Sequence, residues 1–202
     1  MRAFEDYNET KEYTPGGNKL PAGAYEVKII KAEDVDNALC ILFDISSGEY
    51  KNYFRKKFDS DRENYPENAK YKGVYRMYYP QKGDSKERIE ASKRRRKTVL
   101  KTINDTNNLN IDFTKEWDGA ALKGAVVGMI FRDKEYDYNG HHGFSAQPYG
   151  VISAEDLKNG NYTIPDPYYL DKSTDTAGSD ASGYNDVDSY LDDSEDDDDL
   201  PF

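Results

Sequence analysis

Cations and aromatic rings alternate between residues 49 and 58, a pattern that can bind nucleic acid. With the period of two of a β-strand, Tyr50, Phe54 and Phe58 share one face, and Lys51, Tyr53, Arg55 and Lys57 share the other. The first face is predicted to pack in a core. On the second face, three cations can lie along phosphates while a base stacks on the tyrosine ring. A solvated strand face, on which lysines discourage edge aggregation, explains these residues equally well.

The following segment, residues 59–84, repeats this mixture. It contains Tyr65, Tyr71, Tyr75, Tyr78 and Tyr79, together with Lys70, Lys72 and Arg76. A connection of this length inside a compact domain is uncommon and often functional, and rings interleaved with cations can stack on bases of any sequence. We predict a groove whose floor is Lys51, Tyr53, Arg55 and Lys57 and whose flexible wall is Tyr71, Lys72, Tyr75, Arg76 and Tyr78. Alternatively, several of these tyrosines cap the barrel or pair in a hairpin.

The remaining hydrophobic patterns predict four further strands and one helix. The strands span residues 23–31, 38–45, 122–136 and 143–152, and the helix spans residues 84–104. Asp84 followed by Glu87 marks the start of the helix as a capping box. The order strand, strand, strand, helix, strand, strand is that of the OB-fold, a five-stranded Greek-key barrel that binds oligonucleotides. The predicted fold class is mainly β, a five-stranded OB-fold barrel with one helix between strands 3 and 4.

Five successive cations at residues 93–97 lie in the middle of the predicted helix. Because successive residues point to all sides of a helix, this run is predicted to solvate an outer surface and to add positive potential. A nuclear localisation signal is the competing interpretation.

The acidic excess of the chain is confined to its C-terminal end. The protein has 202 residues, of which 39 are acidic and 28 basic, and a net charge of -11. Residues 171–202 contain twelve of the acidic residues and one of the basic residues, which leaves 27 of each kind in residues 1–170. From composition we predict a flexible lead-in at residues 1–20, one OB-fold domain at residues 21–166 and a disordered acidic tail at residues 167–202.

The tail ends in Asp196, Asp197, Asp198, Asp199, Leu200, Pro201 and Phe202. Repulsion keeps the acidic run extended, while Leu200 and Phe202 offer an apolar anchor and Pro201 lowers the entropy lost on docking. We predict that this tip docks partner proteins. A generic solubility tail would explain the aspartates but not the apolar tip. A tail with this charge should also compete with nucleic acid for a basic groove.

The sequence contains no pattern typical of catalysis, a cofactor or a membrane span. There is no nucleophile with a neighbouring base and no phosphate loop, so we expect a non-enzymatic protein without a cofactor. His141 and His142 lack a third ligand at usable spacing, so no metal site is expected. The single cysteine, Cys40, lies in an apolar run and fits a reducing compartment. Without a long apolar stretch or a signal peptide, we expect no membrane association and a location in the cytoplasm of the cell that makes the protein.

Short motifs are dispersed over the second half of the predicted domain. They are Leu122-Lys123-Gly124, Val127-Gly128, Phe131-Arg132, Glu135-Tyr136 and Tyr138-Asn139-Gly140, preceded by Arg94-Arg95-Arg96 and by Pro21-Ala22-Gly23 with Tyr25. Together they resemble a family of small single-stranded DNA-binding proteins encoded by phages of Gram-positive bacteria. The resemblance covers residues 15–167 and implies an OB-like domain that binds single strands without sequence specificity in phage DNA replication and recombination. The tip at residues 196–202 is similar to that of bacterial single-stranded DNA-binding proteins, which captures replication, recombination and repair partners.

Several alternatives stay open. The N-terminal strand of the cellular bacterial proteins is missing, so their tetramer cannot be carried over, and a homodimer is one expectation. Stacking platforms do not distinguish ribose from deoxyribose, so RNA is an alternative ligand. The alternative function is a DNA-mimicking interaction protein that inhibits a host DNA-processing enzyme, which predicts no affinity for oligonucleotides.

Overall fold

A computed structural model describes residues 19–138 and 141–170 of the chain. Most of the predicted lead-in, and the acidic residues 171–202 with the docking tip, lie outside these described residues. Within the described ranges, no helix has the length and apolar character needed to cross a membrane.

A five-stranded antiparallel sheet forms the centre of the described residues. Its strands are β1 (Gly23–Val35), β2 (Ala38–Ile45), β3 (Val74–Tyr78), β4 (Val126–Tyr138) and β5 (His141–Ile152). The order across the sheet is β3-β2-β1-β4-β5, and all neighbours are antiparallel. The mainly β class and the number of strands, five, are therefore confirmed, although the third strand is Val74–Tyr78 and not the predicted segment at residues 49–58. The predicted closure into a barrel is not found, because β3 and β5 are the two edges of an open sheet.

Helices lie between the strands and after the last one. They are α1 (Tyr53–Asn64), α2 (Lys86–Asn107) and α3 (Ala154–Asn159), with 3₁₀ segments at Pro66–Asn68 and Gly119–Leu122. The helix α2 has the predicted position between the third and fourth strands, and it contacts β3, β4 and β5. Its first turn is capped by Ser85 rather than by Asp84, since the Ser85 hydroxyl accepts a hydrogen bond from the N–H of Arg88 at 3.2 Å.

The prediction of a strand over residues 49–58 is wrong, because the helix α1 begins at Tyr53. The supposed core-facing residues are four positions apart: Tyr50, Phe54 and Phe58. Residues four positions apart share a face in a helix as well as in a strand, so their spacing does not distinguish the two. A strand would also have placed the polar residues Asn52 and Lys56 on its apolar face, and this conflict is the signal that favours the helix.

Asp44, near the end of β2, fixes the start of α1. Its buried carboxylate accepts hydrogen bonds from the N–H of Phe54 at 3.1 Å and from the N–H of Arg55 at 3.0 Å. The N–H groups of a first helical turn have no partner within the helix, so a carboxylate beside them stabilises the helix. This contact joins residues that are ten positions apart, so it does not follow from the local sequence pattern.

The third strand, β3, comes from the segment predicted to form a flexible wall. Tyr75 and Met77 point into the core, whereas Arg76 between them is exposed. Tyr75 lies opposite Ile41 of β2. This part of residues 59–84 is therefore a strand of the central sheet.

The hairpin of β4 and β5 extends beyond the rest of the sheet. The strand β1 pairs with β4 only as far as Phe131, whereas the ladder between β4 and β5 continues towards the tip of the hairpin. We call residues 132–147 the arm. Along the β4 edge of the arm that β1 leaves uncovered, Tyr168 pairs in parallel with Lys134. The chain therefore still contacts the sheet beyond residue 166, where the domain was predicted to end.

Candidate nucleic-acid interface

The four residues predicted as the floor of a groove lie at α1 instead of on a strand. Lys51 is exposed in the turn before the helix, and Lys57 is exposed on it. The ring of Tyr53 packs edge-on against neighbouring rings. Arg55 pairs with Asp59 one turn later, with 3.1 Å between Nε and Oδ2. The structure does not align these residues on one strand face, and their role in nucleic-acid binding stays a prediction.

The five residues of the predicted wall divide between core and surface. Tyr71 and Tyr75 are only 7% and 2% exposed, and burial raises the pKa of both hydroxyls. Neither ring offers an open face to a base, because both are buried in the core. Tyr78 is half-buried, while Lys72 and Arg76 are exposed.

The cations of α2 divide in the same way. Three of them are exposed, as predicted for the whole run: Lys93, Arg94 and Lys97. The other two turn towards the sheet. Arg96 lies over the ring of Tyr79, with its Cζ 4.0 Å from the ring centroid, and donates a hydrogen bond to the carbonyl oxygen of Tyr78 at 3.0 Å. Burial lowers the pKa of the Arg96 guanidinium, while Tyr79 and Asp34 oppose this change.

Arg95 connects the two edge strands of the sheet. Its Nε donates a hydrogen bond to the hydroxyl of Tyr75 in β3 at 3.0 Å, and its Nη2 donates to the carbonyl oxygen of Tyr149 in β5 at 3.0 Å. The hydroxyl of Tyr75 also lies 3.5 Å from that same carbonyl oxygen. Arg95 therefore bridges β3 and β5, the two edge strands of the open sheet.

Arg95 is also the first member of a row in which cations and tyrosines alternate. We call Arg95, Tyr149, Arg132, Tyr168 and Lys134 the cation–tyrosine row. The Cζ of Arg132 lies 5.1 Å from the ring centroid of Tyr149 and 5.1 Å from that of Tyr168. The Nζ of Lys134 lies 5.7 Å from the Tyr168 ring. Cations at such distances are attracted to the ring faces, so the row is held together along the arm.

The row has exposed rings beside its cations. Arg132, Lys134 and Tyr136 are alternate residues of β4 and therefore share one face of the strand. The ring of Tyr136 is 43% exposed, and that of Tyr149 is 37% exposed. Tyr149 is the extra residue of a β-bulge in β5. Ile130 of β4 pairs with Gly150, and the next residue, Phe131, pairs with Pro148. The arrangement can hold phosphates at its cations and stack bases on its rings.

Sequence reasoning missed this row, although part of its signal is present. Arg132, Lys134 and Tyr136 place cations and a ring at alternate positions, the same period of two as the cations and ring of residues 51–57. Tyr168 could not have been included from a local pattern, because it reaches β4 from far along the chain.

A buried carboxylate anchors the end of the described chain on the arm. Oε2 of Glu135 accepts a hydrogen bond from the N–H of Leu170 at 2.8 Å, and Oε1 contacts Nε2 of His142.

Within residues 19–138 and 141–170, no group of three His, Cys, Asp or Glu side chains could hold a metal ion.

No protein-family model and no curated protein matches this chain.

Proposed function

We propose that the protein binds single-stranded DNA without sequence specificity, acts in phage DNA replication and recombination, and recruits partner proteins through its acidic C-terminal tip. The observation that carries the proposal is the cation–tyrosine row, in which Arg132 and Lys134 of the arm alternate with the rings of Tyr149 and Tyr168. Arg95 extends the row through its hydrogen bond to the carbonyl oxygen of Tyr149.

The chemistry of the row fits a single strand. Its cations neutralise phosphates, and the resulting release of counterions favours binding of any sequence. The exposed rings of Tyr136 and Tyr149 can stack on unpaired bases, at about 1–3 kcal/mol per base. Base stacking requires an open base face, which a duplex buries within its own stack, so we expect preference for the single strand.

The sheet order supports an OB-fold as the finer fold class. In that barrel β1 lies between β2 and β4, with β3 beyond β2 and β5 beyond β4, which is the order found here. The helix α2 follows β3, as the predicted order requires. Through Arg95, α2 bridges β3 and β5 at the place where an OB barrel closes.

The distribution of charge supports different roles for two parts of the chain, nucleic-acid binding by residues 1–170 and partner docking by residues 196–202. Residues 1–170 carry no net charge, because their 27 basic residues are balanced by 27 acidic residues, and the whole acidic excess lies in residues 171–202. Residues 196–202 supply the apolar anchor and the aspartates for a partner protein. The role in phages rests on the resemblance of residues 122–140 and 94–96.

The proposal is tested by removing the two cations of β4 in the full-length protein. For single strands, the slope of log K against log salt changes by about 0.7 per phosphate contact, so Arg132→Ala with Lys134→Ala should make it shallower by about 1.4 and weaken binding at low salt. Lys115→Ala is the matched control, because Lys115 is an exposed cation paired with Asp112 between α2 and β4. Unchanged affinity and slope in the double variant would remove the row from the interface.

A further inference from the structure

The described chain ends in three residues that dock on the uncovered edge of β4. The N–H of Tyr168 donates to the carbonyl oxygen of Asp133 at 2.8 Å, and the N–H of Glu135 donates to the carbonyl oxygen of Tyr168 at 2.8 Å. The N–H of Leu170 then reaches the Glu135 carboxylate, which is buried. Tyr168 therefore adds a single parallel β-bridge to the edge of β4, and Leu170 continues this contact through the Glu135 side chain.

Successive residues of this segment face opposite sides of the arm. The ring of Tyr168 lies beside Arg132 and Lys134. The ring of Tyr169 packs edge-on against Phe144, with 5.6 Å between the ring centroids. Tyr168 is thus the ring that joins the two cations of β4 within the cation–tyrosine row.

We infer that Tyr168 is a positioning residue of the interface: its ring holds Arg132 and Lys134 in place for phosphates while residues 168–170 are docked on β4. The inference rests on the proposed function. Long cationic side chains lose rotamer freedom when a ligand orders them, and that loss weakens binding. A ring that already restrains both cations removes part of this loss before the nucleic acid arrives.

The same contact couples the interface to docking of residues 168–170, the segment that directly precedes the acidic tail in the sequence. If docking of residues 168–170 favours binding of nucleic acid, bound nucleic acid must favour docking by the same factor. Nucleic acid should therefore slow hydrogen exchange at the N–H of Glu135, whose acceptor is the carbonyl oxygen of Tyr168.

The binding test uses the full-length protein and a fluorescently labelled single-stranded oligothymidylate. Tyr168→Ala should bind about fivefold more weakly, the expected loss for two cation–π contacts outside the core, and should show a shallower salt dependence. Tyr168→Phe keeps the ring face and should bind like the wild type. Tyr162→Ala removes an exposed tyrosine after α3 and controls for the loss of any exposed ring.

The outcomes separate this inference from the proposed function. Equal binding by the wild type and Tyr168→Ala overturns the inference and leaves the proposed function in place, whereas absence of binding by the wild type overturns both. Hydrogen exchange on the wild type needs no variant: slower exchange at Glu135 with the oligonucleotide supports the coupling, and unchanged exchange contradicts it. Exchange at the N–H of Phe43, which donates to Gly73 at 2.8 Å, verifies that each variant keeps its core.

Discussion

Arg95 and Tyr149 join α2 to the arm, because the guanidinium of Arg95 donates a hydrogen bond to the carbonyl oxygen of Tyr149 at 3.0 Å. The ring of the same tyrosine lies 5.1 Å from the guanidinium carbon of Arg132. The basic helix and the β4–β5 hairpin are thus linked through a single residue, Tyr149.

Replacement of Arg95 by Ala should lower the free energy of unfolding by about 2 kcal/mol, the range expected for hydrogen bonds to a charged group. The hydroxyl of the buried Tyr75 would lose its donor, and β3 would lose its bridge to β5. Urea denaturation measures the change. The neighbouring variant Arg94→Ala is the control, since Arg94 is exposed and should affect oligonucleotide binding without affecting stability. Equal stability of the two variants would contradict the bridging role.

Replacement of Asp44 by Ala should lower the free energy of unfolding by about 3 kcal/mol, because the buried carboxylate accepts three backbone hydrogen bonds. The loss should appear in denaturant unfolding and as faster hydrogen exchange at the first turn of α1. Asp59→Ala removes an exposed partner of Arg55 and should cost less than about 1 kcal/mol. A small effect of Asp44→Ala would show that the helix does not depend on this cap.

Alkaline pH should destabilise the protein partly through Tyr79. Burial, followed by a hydrogen bond to the carboxylate of Asp34, raises the pKa of Tyr79 from 10.0 to about 12. The folded protein therefore binds this proton more tightly than the unfolded chain, so its contribution is complete below pH 10.0 and is lost as the pH rises to about 12.

The variant Tyr79→Phe removes this contribution. Its free energy of unfolding should decline less steeply over that pH window than that of the wild type, as measured by urea denaturation at each pH. A decline remains, because burial also raises the pKa of Tyr25 to about 12. Identical pH profiles would exclude a role for Tyr79.

Deletion of residues 171–202 should tighten binding of single-stranded DNA at low salt, because it removes a net charge of -11 that competes for the same cations. The difference in affinity between the full-length protein and this deletion variant should vanish at high salt, which screens the charge of the tail. Deletion of residues 200–202 alone should leave this affinity nearly unchanged and abolish capture of partner proteins. Anisotropy titrations and pull-downs measure the two effects. Unchanged affinity after the longer deletion would contradict the competition.

Much of the sheet could be predicted because its signals are local. The strand β2 has the predicted bounds, Ala38–Ile45, since a short apolar run between turns has few alternatives. The helix α2 was predicted from its capping signal and its apolar stripe, which buries Val99, Leu100 and Ile103. Where the signal is local, pattern and structure agree.

The sequence-based predictions differ from the structure where a residue far along the chain determines the local conformation. A carboxylate of β2 makes residues after 52 helical, although their alternating pattern also fits a strand. Tyr75 was predicted to contact nucleic acid, but β3 places it in the core. The row depends on Tyr168, which the tertiary fold brings to β4. Composition alone could not assign this tyrosine, because its neighbours after residue 170 have the polar, acidic composition of a tail.

The most direct measurement is a gel shift of the full-length protein with single-stranded DNA, with the corresponding duplex and with RNA of the same sequence. We predict that single-stranded DNA of unrelated sequences is bound with similar affinity, more tightly than the duplex, and more weakly as salt rises from about 50 to about 200 mM. The RNA lane decides between deoxyribose and ribose. Absence of a shift with single-stranded DNA, or tighter binding of the duplex, would contradict the proposed binding of single-stranded DNA. Absence of a shift is also the result expected for a DNA-mimicking inhibitor.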